Sequence, residues 1–83
     1  MDERSRVREF VGTLLQRKGD TVEFGDADAL VTAGRLDSVE IIELVAFMEE
    51  AFGIDFARVD FDREDFESVS TMVALVKRSS GPT

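Results

Sequence analysis

Apolar positions recur with helical spacing in three separate stretches of the chain. Val7, Phe10, Val11 and Leu14 fall at i, i+3, i+4 and i+7, and Leu15 widens the same stripe. This predicts a helix from about Asp2 to Lys18. Asp2 and Glu3 suit its positive end, Arg17 and Lys18 its negative end, and Gly19 offers a stop. A second stripe of Ile41, Leu44, Val45, Met48 and Phe52 predicts a helix from Ser38 to about Phe52, closed by Gly53. A third stripe of Val69, Met72, Val73 and Val76 predicts a last helix with Ser68 as N-cap and Lys77 and Arg78 near its end. Asp62-Arg63-Glu64-Asp65-Phe66 reads as a brief additional helix with Phe66 turned inward, and Ile54-Asp55-Phe56 as a short apolar anchor. Ser79 to Thr83 reads as a frayed tail.

Between the first two helices the periodicity fails. Gly19 to Asp37 is rich in Gly, Asp and Thr, long for a loop in so small a chain. Val22, Phe24, Leu30 and Leu36 are expected to pin it to the core, and residues 26–30 to form a short turn of helix. The predicted fold is all-α. It is a small antiparallel bundle of three main helices plus one short helix, a four-helix bundle if the short one is counted, with a long loop after the first helix. Residues 1–83 form a single domain, and the stripes are used up by one core, so a monomer is expected.

Composition narrows the chemistry. The 83 residues contain no Cys, His, Trp or Tyr, and 18 acidic against 10 basic residues give a net charge of −8. Without Cys there is no disulfide framework and no protein thiol. Without His the commonest general base and metal ligand is missing. The acidic surface disfavours nucleic acid and anionic membranes and favours basic patches on partner proteins. No apolar run has the length of a signal peptide or membrane span, which makes the cytoplasm the expected location. Two acidic stretches fail as EF-hand loops. Counting from Asp60, position 6 is Asp65 where Gly is needed, and position 12 is Thr71 where a bidentate Glu is needed. Counting from Asp26, positions 5 and 6 are Leu30 and Val31. No phosphate-binding or dinucleotide pattern occurs. Catalysis by the chain itself is not expected.

One stretch remains with chemical content: Gly34-Arg35-Leu36-Asp37-Ser38-Val39-Glu40. Asp37 is a good N-cap and Glu40 stands three residues on, as in a capping box. That places Ser38 at the first turn of the second helix, where unpaired N–H groups and the helix dipole favour a phosphate ester. The same spacing fits an ordinary polar helix start. Glu40, Glu43, Glu49 and Glu50 line the polar side of this helix, with Val39, Ile42 and Ala46 set among them. Apolar residues within an acidic face suggest a docking surface, although Val39 and Ile42 can equally cover the loop.

Leu36-Asp37-Ser38-Val39 followed by Glu40-Ile41-Ile42-Glu43-Leu44-Val45-Ala46-Phe47-Met48-Glu49-Glu50-Ala51-Phe52-Gly53-Ile54 resembles the second helix of acyl carrier proteins. Their signature is Asp-Ser-Leu, then an apolar helix studded with Glu and ending in Glu-Glu-x-Phe. The first-helix stripe, the acidic loop, the Phe66 segment and the Ser68-Val69 helix start also fall where that family has them, so the resemblance covers roughly residues 5 to 78.

The resemblance implies that Ser38 carries 4′-phosphopantetheine, attached by a phosphopantetheinyl transferase using coenzyme A. The arm's thiol would hold an acyl or aminoacyl group as a thioester, supplying the thiol that the chain lacks. Asp37 matches the Asp of the motif, and Val39 stands where Leu is usual. Glu40, Glu43 and Glu49 match the family's acidic recognition positions, and Ile42 and Ala46 its apolar contact positions. The implied partners are the transferase, an acyl- or aminoacyl-loading enzyme, and a downstream synthase, transferase or tailoring enzyme with a basic docking patch. Fatty-acid carriers usually have one residue between the loop Gly and the Asp, whereas Arg35 and Leu36 both stand between Gly34 and Asp37. That spacing is similar to discrete aminoacyl carriers, such as the D-alanyl carrier, and to stand-alone carriers of natural-product pathways. The alternatives are a housekeeping fatty-acid carrier and a non-carrier acidic helical module for which Ser38 would be dispensable.

Overall fold

The computed structural model describes residues 2–80, so the end of the expected tail, residues 81–83, lies outside the described residues. The elements are α1 (Glu3–Arg17), α2 (Ser38–Phe52), a 3-10 turn η1 (Arg63–Phe66) and α3 (Val69–Ser80). Among the described residues there are no strands. Two expectations for the C-terminal elements need correction. The segment before α3 is one 3-10 turn, so among the described residues the bundle has three α-helices and not four. α3 also runs on through Ser79 and Ser80, which the sequence reading assigned to a frayed tail.

Helix ends follow local chemistry. The Asp2 carboxylate accepts the Ser5 N–H at 2.8 Å and caps α1. Gly53 closes α2 in the left-handed conformation at φ 68°, where a side chain would be strained. Asp62 caps η1 by accepting the Glu64 N–H, and the Asp65 carboxylate returns to the Asp62 N–H. Ser68 and Thr71 exchange hydrogen bonds in the same reciprocal manner at the start of α3.

Val7, Val11, Leu14 and Leu15 of α1 are buried, as are Ile41, Leu44 and Met48 of α2. α1 packs most extensively along α3, and η1 also rests on α3. From α3 come Val69, Met72, Leu75 and Val76, all fully buried. Leu75, off the expected α3 stripe, lies deeper than Val73, which sits at the edge of the core. Phe10 is likewise half-buried. Its ring stacks on Phe47 of α2 at 4.3 Å, and Phe47 meets Phe52 edge-on at 5.7 Å. This aromatic seam joins α1 to α2 outside the aliphatic core.

The long loop is built from turns and contains no helix, so the expected helical turn at residues 26–30 is absent. Leu30 and Leu36 are buried and Phe24 packs against the core, as expected. Val22 departs from expectation at 69% exposure. Its N–H binds the Asp20 carboxylate and its carbonyl accepts from Arg35, so polar bonds hold the backbone while the side chain faces out.

Glu67 fixes the loop from the far side. Its carboxylate accepts the N–H groups of Leu30, Val31 and Thr32 at 2.8–3.1 Å. The Leu30 N–H is shared with the Glu67 carbonyl at 2.7 Å. Desolvation opposes ionisation of Glu67, but the amides of Thr32, Leu30 and Val31 together outweigh it and hold the carboxyl below its usual value. A depressed carboxylate stabilises the fold above its unfolded-state pKa, and that contribution is lost as the pH falls through the lower folded-state value. Thermal melts from pH 7 to pH 2 test this. Wild type is expected to lose stability more steeply than Glu67→Gln below about pH 4.5, the ordinary glutamate value. Parallel curves would show that the Glu67 charge does not hold the loop.

Candidate functional site

Ser38 is the first residue of α2, and the loop delivers it there through a chain of anchors. Gly34 turns with φ 79°, a conformation that suits glycine. Arg35 then folds back onto the Asp20 carboxylate at 2.7 and 3.0 Å and onto the Val22 carbonyl at 2.7 Å. The Arg35 contact comes first among the causes that hold the Asp20 carboxyl below its ordinary range. Leu36 is buried in the core. The Arg35 and Leu36 N–H groups both donate to the Leu30 carbonyl, at 2.8 and 3.0 Å. The two residues between Gly34 and Asp37 thus have separate tasks, one in a half-buried ion pair and one as a core anchor.

Asp37 is the N-cap, accepting the Val39 and Glu40 N–H groups at 3.0 and 3.4 Å. The Glu40 carboxylate receives the Asp37 N–H at 2.9 Å, completing the capping box. Side-chain hydrogen bonding with Glu40 comes first in lowering the Asp37 pKa. Desolvation opposes it, and the two N–H donors and the Lys18 charge reinforce it.

Glu40 does not face outward, contrary to the sequence expectation for a recognition residue. It is 9% exposed, and its Oε1 also pairs with Lys18 Nζ at 3.0 Å. Lys18 Nζ in turn donates to the Arg35 carbonyl at 2.6 Å. The end of α1, the loop and the start of α2 are therefore tied at one carboxylate, which leaves it little freedom to meet a partner.

Ser38 itself is exposed. Its Oγ accepts a hydrogen bond from Arg63 of η1 at 3.0 Å. As the first residue of α2, its backbone N–H has no acceptor within the helix. A small group on the hydroxyl would therefore meet open space, an N–H unpaired within the helix, the positive end of α2 and a guanidinium. A phosphodiester fits these surroundings. The 25-residue separation of Arg63 from Ser38 left no sequence signal for this contact.

Beyond Ser38 the face expected for docking is present. Val39 and Ile42 are 60% and 68% exposed, and Ala46 and Glu49 are also exposed. Glu43 is half-buried, with Arg17 at 3.4 Å. At these exposures Val39 and Ile42 do not serve as a cover for the loop. An open groove of about 630 Å³ lies elsewhere, between α1 and the loop, lined by residues such as Arg8, Gly12, Asp20 and Phe24 and by none from α2 or η1.

Among the described residues no helix is long and apolar enough to cross a membrane, and no group of acidic side chains is arranged to hold a metal ion. Residues 5–76 match the family model described as the phosphopantetheine attachment site. No solved structure matches the chain.

Proposed function

The chain belongs to the phosphopantetheine-attachment family, matched over residues 5–76, and from that premise we propose that Ser38 is the attachment residue of a discrete, non-catalytic carrier. Domains of this family bind 4′-phosphopantetheine and work with a phosphopantetheinyl transferase and partner enzymes. The observation that carries the site assignment is the exposed hydroxyl at the first residue of a capped helix, beside a guanidinium and an N–H unpaired within the helix. In the transfer step the bond from Ser38 Oγ to phosphorus forms and the diphosphate bond of coenzyme A breaks. Adenosine 3′,5′-bisphosphate leaves, and the hydroxyl proton passes to a base on the transferase. Once attached, the arm supplies a thiol that holds an acyl or aminoacyl group as a thioester.

The residues of the chain act by presentation. Asp37 and Glu40 close the helix end so that Ser38 projects from it. Val39, Ile42 and Ala46 offer an apolar strip flanked by Glu43 and Glu49, suited to partners with a basic rim around an apolar contact. The Gly-Arg-Leu-Asp-Ser spacing supports a stand-alone carrier serving a natural-product pathway, of polyketide, nonribosomal peptide or related chemistry, over a fatty-acid carrier. We place it in the cytoplasm as a monomer, residues 1–83 being one carrier domain.

The test is to incubate the purified chain with coenzyme A and a broad-specificity transferase, weigh the intact protein and map the modified peptide. One phosphopantetheine on Ser38 is expected; a folded chain that gains no mass beside a working control carrier would defeat the reading. The docking strip has its own test. Reversing Glu43 and Glu49 together to Lys is expected to lower the transferase kcat/KM about three- to tenfold at low ionic strength, with the gap closing as salt screens the charges. An unchanged rate at low salt would remove those carboxylates from recognition. Glu40 is left intact in this test because its loss would open the capping box.

A further inference from the structure

We propose that Arg63 is a binding residue for the phosphodiester of the arm, holding it in the corner between α2 and η1. The inference rests on Ser38 being the attachment residue and adds a contact that the motif does not specify.

The geometry begins with the Arg63 Nη1 to Ser38 Oγ hydrogen bond of 3.0 Å. In the bare chain Arg63 donates to a neutral hydroxyl, a weak partner for a guanidinium. After modification Oγ becomes the bridging ester oxygen. The two non-bridging oxygens, which share one negative charge, lie just beyond it on phosphorus. A guanidinium already in contact with Oγ reaches one of them by a small side-chain rotation. Arginine also matches phosphate with parallel N–H donors.

Neighbouring charges leave Arg63 available. Among the described residues it forms no ion pair. Of the acids near it in sequence, the Asp62 carboxylate accepts the Glu64 N–H, Asp65 pairs with Arg78 at 3.1 Å and accepts the Asp62 N–H, and the exposed Glu64 forms no ion pair with Arg63. Across the corner, Asp37 is committed to the N–H groups of α2. In a chain of net charge −8 a cation without a carboxylate partner thus stands at the point where the arm's phosphate arrives. η1 is held in turn by Phe66, fully buried in the core, so the base of the Arg63 side chain is fixed. An exposed charge pair of this kind is expected to favour the contacted state about two- to fivefold at low salt. That is enough to bias the direction in which the arm leaves the surface without trapping it.

The test compares apo and holo forms of wild type, Arg63→Gln and Arg63→Lys by NMR, after the mass of each holo form has been confirmed. In wild type the Arg63 side-chain Nε–H resonance is expected to move on attachment of the arm. The phosphorus-31 resonance of holo wild type is expected to differ from that of Arg63→Gln and to approach it as salt is raised. Arg63→Lys, which keeps the charge without the planar fork, should fall between them. Equal phosphorus-31 shifts and salt responses in holo wild type and Arg63→Gln, with matching circular dichroism, would overturn the Arg63 contact while leaving Ser38 as the attachment site. A chain that takes no arm, or takes it at another residue, would overturn both readings at the weighing step.

Discussion

Ser38→Ala is expected to abolish phosphopantetheine attachment completely while leaving the helical circular dichroism unchanged. The loss is total because the substitution removes the oxygen that attacks phosphorus, not merely a contact that improves attack. Ser68 offers no replacement hydroxyl, being buried and bonded to Thr71. The fold is spared because the cap belongs to Asp37, which keeps both of its N–H partners. Ala is also a good residue for a helical position. The Ser38 hydroxyl receives one described hydrogen bond, from an exposed guanidinium. A surface change of this kind falls within about 0.5 kcal/mol. Intact-mass measurement after incubation with coenzyme A and transferase decides the matter. A mass gain on the Ala variant would move the attachment site elsewhere.

Phe66→Ala should have the largest effect on stability. Phe66 is fully buried, meets Phe61 edge-on at 5.8 Å, and is the apolar anchor by which η1 rests on α3. Truncating a buried Phe costs about 3–5 kcal/mol. A chain of this size has roughly 4–12 kcal/mol of net stability. At about 4–8 °C per kcal/mol, the midpoint should fall by more than about 12 °C. The consequence reaches the site, because η1 carries Arg63 and is followed directly by Glu67, the clasp on the loop. Phe66→Leu, which keeps most of the apolar volume, should recover a large part of the loss. A melt of Phe66→Ala within a few degrees of wild type would show that η1 is held by other means.

The parts of this fold that were readable in advance are those set by neighbours along the chain. The α1 and α2 stripes, the Asp37 cap, the stop at Gly53 and the inward turn of Phe66 all depend on residues a few positions apart, where helical spacing and capping chemistry apply directly. The same geometry set Val39 and Ile42 among the glutamates but left open whether they cover the loop; both are exposed. What escaped was set at a distance. Glu40 was legible as the capping-box partner of Asp37 but was also expected to face a partner, and only the arrival of Lys18 beside the capping box shows it to be an internal tie. Val22 looked apolar enough to bury, but the polar bonds of its backbone to Asp20 and Arg35 turned it outward. Leu75 lay just off the stripe chosen for α3. Arg63 met Ser38, and Glu67 the loop, across 25 to 37 residues, where no local pattern applies.

The Glu67 clasp also has a consequence in time. Ser38 and the loop that leads to it are synthesised well before Glu67, and until that carboxylate emerges three loop amides lack their acceptor. A nascent or truncated chain that ends before Glu67 lacks that carboxylate and cannot close the clasp on the approach to Ser38. The approach to the serine is therefore locked only once synthesis has passed Glu67, just before α3.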